Sequence, residues 1–273
     1  MKISKKCPVI IKLLGSPRDW QNYFLWSNFW SKILYKYVMP ISGKKLSKWM
    51  LSTSRGKVLT GEQIDKILLI KAGGRLVRLS TSMPYCGVQE FNLENPLPIA
   101  VYECACRSFR KKPCLPLQVC LVIGKSPINF IEKYFPHKAR RIAPEEALEI
   151  IKKHRKNRGM NSIYVSRNAI NICNDTKCCC GILEMIRKFN YPLLHSSGFV
   201  ASVLHEGECL GCGICSKACP FNAITIENKK AHVHWEKCFG CGVCLNSCSK
   251  NVFELIRDEN KEPVLEIETS VKR

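Results

Sequence analysis

Cysteine is the residue type through which this chain can do chemistry. Near its end it reads Cys209-Leu-Gly-Cys212-Gly-Ile-Cys215-Ser-Lys-Ala-Cys219-Pro220, and the same C-x2-C-x2-C-x3-C pattern returns 29 residues later at Cys238, Cys241, Cys244 and Cys248. Three thiolates spaced by three on one curled loop can each reach a separate iron of a cubane. The fourth, four positions further on, is carried away toward a second centre. Gly211, Gly213, Gly240 and Gly242 remove side chains where backbone N–H groups must approach inorganic sulfur. Pro220 ends the first turn, and Ser249 stands in its place in the second. Disulfides and four-cysteine zinc sites also use C-x2-C pairs, yet neither accounts for a triplet plus a displaced fourth Cys, written twice.

A second constellation lies upstream: Cys104-Ala-Cys106-Arg107, then Cys114 and Cys120, then Cys173 and Cys178-Cys179-Cys180-Gly181. Cys104 and Cys106 are two apart at the end of a strand-like run, so both thiols can face one side, and Cys114 and Cys120 return after a Pro-containing loop. Cys173 and one or more of Cys178, Cys179 and Cys180 complete the set; three adjacent residues do not all point the same way. Arg107, Arg110, Lys111, Lys112 and Lys177 lie beside these thiols and favour thiolate over thiol. The expectation is at least one further metal centre here, iron–sulfur ahead of zinc. The bland alternative is a set of reduced cysteines acting as small buried hydrophobes. Cys7 and Cys86 stand alone and are assigned nothing.

The C-terminal stretch resembles the bacterial two-cluster ferredoxins. That resemblance implies one [4Fe-4S] cluster on Cys209, Cys212, Cys215 and Cys248, and a second on Cys238, Cys241, Cys244 and Cys219, in a pseudo-twofold unit. With the upstream C-x-C-R, C…P…C-L-x-x-G and C-N…C-C-C segments, the chain also resembles a group of uncharacterised Cys-rich iron–sulfur proteins over roughly residues 57–256. This second resemblance implies a cluster among the 104–180 cysteines and no particular substrate. The chain departs from that group at Asp175-Thr176, where more Cys is expected.

At 273 residues and 46% hydrophobic content the chain can bury a real core. Eighteen Cys would suggest a secreted disulfide scaffold in a short chain, but cluster motifs are damaged by oxygen. A reducing, anaerobic cytoplasm is expected. The net charge of +21 is uneven: residues 1–80 carry 12 Lys and 4 Arg against 3 acidic residues, while residues 203–273 carry 9 basic against 10 acidic. Two oxidised clusters, each bringing about −2 with its four thiolates, would make the C-terminal end acidic and the molecule polarised.

The positioning elements follow. The fold class read here is α+β. It comprises a basic, aromatic segment (1–56), a Cys-rich α/β domain (57–200), a ferredoxin-like 2[4Fe-4S] domain (201–262) and a tail (263–273). Lys12 breaks an early apolar run, which argues against a secretion signal. Residues 20–39 hold three Trp and three Tyr in one amphipathic helical stretch beside Lys32 and Lys36. It is read as a peripheral membrane contact at the inner face or, with at least equal weight, as a helix packed on its own domain or a partner subunit. Thr60-Gly-Glu-Gln63 forms a capping box, with Gly73-Gly74 as the helix stop before a strand at 76–79. Pro144-Glu-Glu146 opens a helix that closes in Lys152-Lys-His-Arg-Lys-Asn-Arg158-Gly159. Its bases suit its own dipole, which argues against nucleic acid as partner. Ile99–Tyr102 and Val119–Ile123 read as buried strands. Short strands are also expected at 200–204, 223–226, 233–235 and 252–256.

The expected function is one-electron transfer by an electron carrier or redox subunit with a redox partner protein. The alternatives are an oxidoreductase whose site is held by the 104–180 cysteines, and a redox- or metal-responsive binding protein. The sequence carries no Ser/His/Asp set, phosphate loop or nucleotide fingerprint.

Overall fold

The computed structural model describes residues 56–70, 74–77, 91–93, 97–134, 136–165, 169–190 and 193–269. The aromatic stretch 20–39, Cys7 and Cys86 lie outside these residues.

Strand β1 (Gly56–Leu59) leads into helix α1 (Gly61–Leu68) through the capping box. Thr60 Oγ1 accepts from the Gln63 N–H at 3.2 Å, and Gln63 Oε1 accepts from the Thr60 N–H at 2.8 Å. The helix ends at Leu68, ahead of the Gly73-Gly74 stop expected from sequence, and Gly74 instead opens β2 (Gly74–Val77). There follow β3 (Phe91–Leu93), β4 (Ile99–Glu103), the short α2 (Ala105–Ser108), β5 (Gln118–Ile123), α3 (Lys125–Tyr134) and β6 (Ala139–Ile142). Then come α4 (Pro144–Lys156), β7 (Met160–Val165), β8 (Ile170–Asp175), α5 (Gly181–Phe189) and β9 (Leu194–His195). Seven strands form one sheet in the order β6-β4-β5-β8-β7-β1-β9. Neighbours are antiparallel except β1 and β9. The upstream region is therefore α+β in its own right, because its strands return beside one another instead of through parallel crossovers.

Alternation along the strands gives the sheet two apolar faces. Ile99, Val101, Leu121, Ile123, Ile170 and Ile172 meet α1 and α4 on one face. Ala100, Tyr102, Cys120 and Val122 meet Ile128 and Ile131 of α3 on the other. Burying each large aliphatic side chain contributes about 1.5–3 kcal/mol, so both faces help to hold the sheet. The basic end of α4 is partly absorbed by the fold: His154 turns inward and Arg155 pairs with Asp65 at 2.8 Å.

The C-terminal unit contains β10 (Phe199–Val203), α6 (Ile214–Ala218), β11 (Ile224–Glu227), β12 (Lys230–Val233), α7 (Val243–Ser247) and β13 (Phe253–Arg257). β10 pairs antiparallel with β13, and β11 with β12. The strand expected at 233–235 ends at Val233, because Trp235–Lys237 turns into a 3-10 helix before Cys238. Met160 and Tyr164 of the sheet, with Leu183 of α5, share one buried core with Val200, Phe221 and Val243 of this unit. Residues 263–273, expected as a tail, include β14 (Glu266–Thr269), which pairs with β2. Among the described residues no helix is long and apolar enough to cross a membrane.

Candidate metal centre

The two copies of the cysteine motif fold alike. Each begins on a 3-10 turn, at Glu206–Glu208 and Trp235–Lys237, curls through two glycines, and runs into α6 or α7. Gly211 and Gly240 both sit at φ +62°, and Gly213 and Gly242 at +72° and +74°. Added side chains at Gly211 and Gly240 would strike the carbonyls of Lys229, in the turn between β11 and β12, and of Phe199, at the start of β10. Close approach and a left-handed backbone thus coincide there, which selects glycine.

This loop geometry decides where the thiols go. A cavity is lined by Cys238, Cys241 and Cys244 together with Cys219 of the first copy, and Phe221 and Phe239 stack at its wall with centroids 4.2 Å apart. Cys248 lies instead among the electrostatic neighbours of Cys215, with Cys209 and Cys212. Two backbone N–H groups reach sulfur in the first of these sets, Ala223 to Cys219 at 3.3 Å and Ala201 to Cys238 at 3.4 Å. Burial, and then the neighbouring sulfurs of Cys219 and Cys244, pushes the Cys241 thiol well up. Burial likewise leads the rise at Cys215, Cys238 and Cys244. Such thiols keep their protons in a metal-free site and give them up to a soft cation, as the ligands of an iron–sulfur centre must.

The eight upstream cysteines divide. Five form a line, buried at Cys104, Cys120 and Cys180 and half-buried at Cys106 and Cys173: Cys173 touches Cys120, Cys120 touches Cys104, Cys104 touches Cys106, and Cys106 touches Cys180. The sheet register produces this, since Leu121 faces Ile172 and Tyr102 faces Cys120 across antiparallel pairs. Cys180 Sγ donates to Asp175 Oδ1 at 2.9 Å, and burial raises the Asp175 carboxyl to about 6. The neighbouring thiol of Cys106 pushes Cys104 up to about 11. The other three gather with their sulfurs all within 4.8 Å of one another, Cys178 exposed, Cys114 half-buried and Cys179 buried. Among the adjacent triplet, therefore, Cys178 and Cys179 converge while Cys180 turns toward Asp175.

A polar cluster that sequence reading passed over lies behind the buried line. Arg107, only 2% exposed, donates to the carbonyls of Pro116 and Asn174 at 2.7 and 3.2 Å and approaches His154 Nδ1 at 3.4 Å. The guanidinium can only donate, so Nδ1 accepts and Nε2–H serves the carbonyls of Met160 and Asp175, each at 3.1 Å. Burial, with Arg107 beside it, lowers His154 to about 4. The available signal was spacing: Ala147, Ile151 and His154 lie on one helical stripe and are all buried.

Comparison with known proteins adds the class of centre. Residues 202–249 match the model of a 4Fe-4S dicluster domain. An uncharacterized ferredoxin of Methanocaldococcus jannaschii is 51% identical over 35 residues, which cover 13% of this chain and 20% of that protein. The chain carries a ferredoxin-type iron–sulfur domain, and both likenesses support a role in iron–sulfur electron transfer.

Proposed function

We propose that this protein is a one-electron carrier, or the electron-carrying subunit of a larger assembly, with two [4Fe-4S] clusters held in crossed fashion. One cluster takes Cys209, Cys212, Cys215 and Cys248; the other takes Cys238, Cys241, Cys244 and Cys219. The observation that carries this reading is the cavity at which Cys219 joins the second triplet. When bound, each cluster takes up and releases one electron at a time. The chain's own residues space the thiols, direct N–H groups at sulfur and exclude water with Phe221 and Phe239.

The two ligand sets differ in exposure, and that gives the carrier a direction. Cys212 is exposed and the apolar residues Leu204, Leu210, Ile214 and Trp235 stand exposed in the same unit, a surface suited to a redox partner protein. Cys219, Cys238 and Cys244 are buried in the core shared with the upstream sheet, as is Cys215 of the first set. Electrons pass between partner and interior through the first set. A peripheral membrane contact through residues 20–39 belongs to the same reading; flotation with anionic liposomes, compared with a chain lacking residues 1–45, tests it.

The test of the main reading is anaerobic protein assayed for iron and acid-labile sulfide, then titrated with reductant under EPR. About eight of each per chain in the C-terminal unit and two interacting reduced [4Fe-4S] signals are expected. No reduced [4Fe-4S] signal would sink it.

A further inference from the structure

Cys114, Cys178 and Cys179 stand outside both ferredoxin sets and outside the buried line. We propose that these three thiols bind a single zinc ion, with the fourth coordination position open to water or to an incoming thiol. Spacing carries the argument. Zinc–thiolate bonds of about 2.3 Å in a tetrahedron place neighbouring sulfurs about 3.8 Å apart. The sulfurs of Cys178 and Cys179 lie 3.4 Å apart, and all three lie within 4.8 Å of one another. Among the described residues no other three Cys, His, Asp or Glu ligand atoms meet that condition, the ferredoxin sets included. A cubane needs its thiolates spread around a four-iron core, whereas one ion draws them together.

The surroundings hold this geometry in place. Cys178 and Cys179 sit on a turn closed by the N–H groups of Cys179 and Cys180 on the Thr176 carbonyl, at 3.3 and 3.0 Å. Two arginines clamp that turn: Arg110 donates twice to the Cys179 carbonyl, at 3.1 and 3.0 Å, and Arg187 donates to the Lys177 carbonyl at 2.8 Å. The Cys114 N–H points at Cys179 Sγ at 3.4 Å, and Thr176 Oγ1 lies 3.3 Å from Cys114 Sγ. Three thiolates around Zn²⁺ leave a net charge of −1; the Arg110 guanidinium lies beside Cys179 and is shared with Glu184 at 2.5 Å. Binding releases the three thiol protons to solvent. A disulfide between Cys178 and Cys179 is disfavoured, since adjacent Cα atoms about 3.8 Å apart fall short of the roughly 4.4 Å that disulfides need. The exposed Cys178 leaves one side of the ion to solvent. Three protein ligands plus an open place is the arrangement of zinc that binds or activates a further group, not of zinc that only braces a fold.

The test uses full-length, anaerobically prepared protein loaded with Zn²⁺, then gel-filtered and examined by metal analysis and zinc K-edge scattering. One retained zinc per chain is expected, with three sulfurs at about 2.3 Å and one oxygen or nitrogen. Cys178→Ser, at an exposed position, should reduce the sulfur count to two and weaken zinc retention at least tenfold; Cys114→Ser, on the other segment, should do the same. Iron, sulfide and the reduced-cluster EPR should stay unchanged in both variants, which separates this site from the ferredoxin reading. Failure to retain zinc, a four-sulfur shell, a Cys114–Cys179 disulfide in the anaerobic protein, or loss of a cluster's worth of iron in Cys178→Ser would each overturn the proposal.

Discussion

The two halves of this protein carry equal numbers of motif cysteines and treat them in opposite ways. In the C-terminal unit, two short loops repeat one another and hold the thiols apart at a cavity, with backbone N–H groups directed at sulfur. In the upstream half, the thiols lie in or beside a well-packed sheet and touch each other, five in a line and three in a group that only Cys178 exposes to solvent. The apolar interior of the C-terminal unit surrounds its cysteines, whereas the upstream sheet closes over two faces of aliphatic side chains. The crossed-cluster reading therefore predicts that the C-terminal unit draws stability from its inorganic core, and that the upstream sheet holds with or without metal.

Substitutions can break this contrast, beginning with the largest effect. Cys219→Ser should remove the cluster of Cys238, Cys241 and Cys244, taking about half the C-terminal iron and sulfide and one of two EPR signals. Loss of the Cys209, Cys212 and Cys215 cluster instead would refute crossed ligation. Cys120→Ser in the buried line should leave both EPR signals in place. Next comes Gly240→Ala, where a left-handed backbone and a carbonyl in contact act together; a destabilisation of about 2–5 kcal/mol is expected in denaturant unfolding. Gly213→Ala has the same backbone requirement but meets only Ile226 Cγ1 at an ordinary 3.9 Å, and should lose only about 1–2 kcal/mol. Equal losses at both positions would show that the close approach does not matter.

A pH series separates the halves by another route. His154 falls from an ordinary 6.5 to about 4 in the folded chain, so between these values the folded form binds fewer protons than the unfolded. Its contribution is therefore complete above pH 6.5 and lost as pH falls toward 4, up to about 3 kcal/mol. Amide exchange in β7 and β8, corrected for its intrinsic rate, should accelerate across that window, and His154→Gln should flatten the response.

Short-range features were legible in the sequence. The motif spacing located the ferredoxin loops, because local backbone geometry fixes where those thiols go. Ile99–Tyr102 and Val119–Ile123 fell in β4 and β5. What sequence could not show depends on register and long-range pairing. Cys120 meets Cys173 only because β5 lies antiparallel to β8, and the division of Cys178-Cys179-Cys180 depends on a turn that two distant arginines hold. Asp175 and Thr176, which read as departures from a Cys-rich pattern, lie against Cys180 and Cys114 respectively. β14 returns to β2 across most of the described chain, a pairing with no local trace.

The smallest effect gives the most selective test of independence between the halves. Thr60 caps α1, and both hydrogen bonds of the box are formed; Thr60→Ala removes the Oγ1 acceptor of the Gln63 N–H and leaves the backbone donor to Gln63 Oε1 in place. A lost cap costs about 1 kcal/mol. α1 packs Ile64, Ile67 and Leu68 into a core separate from the one that the sheet shares with the ferredoxin unit, so the loss should stay largely in that core. Hydrogen exchange in α1 and β1 should rise about fivefold, while cluster content and the reduced EPR spectrum remain those of the parent protein. If the EPR spectrum or iron content shifted with this remote cap, the upstream sheet would be tuning the clusters, and the contrast between a self-supporting half and a metal-supported half would have to be given up.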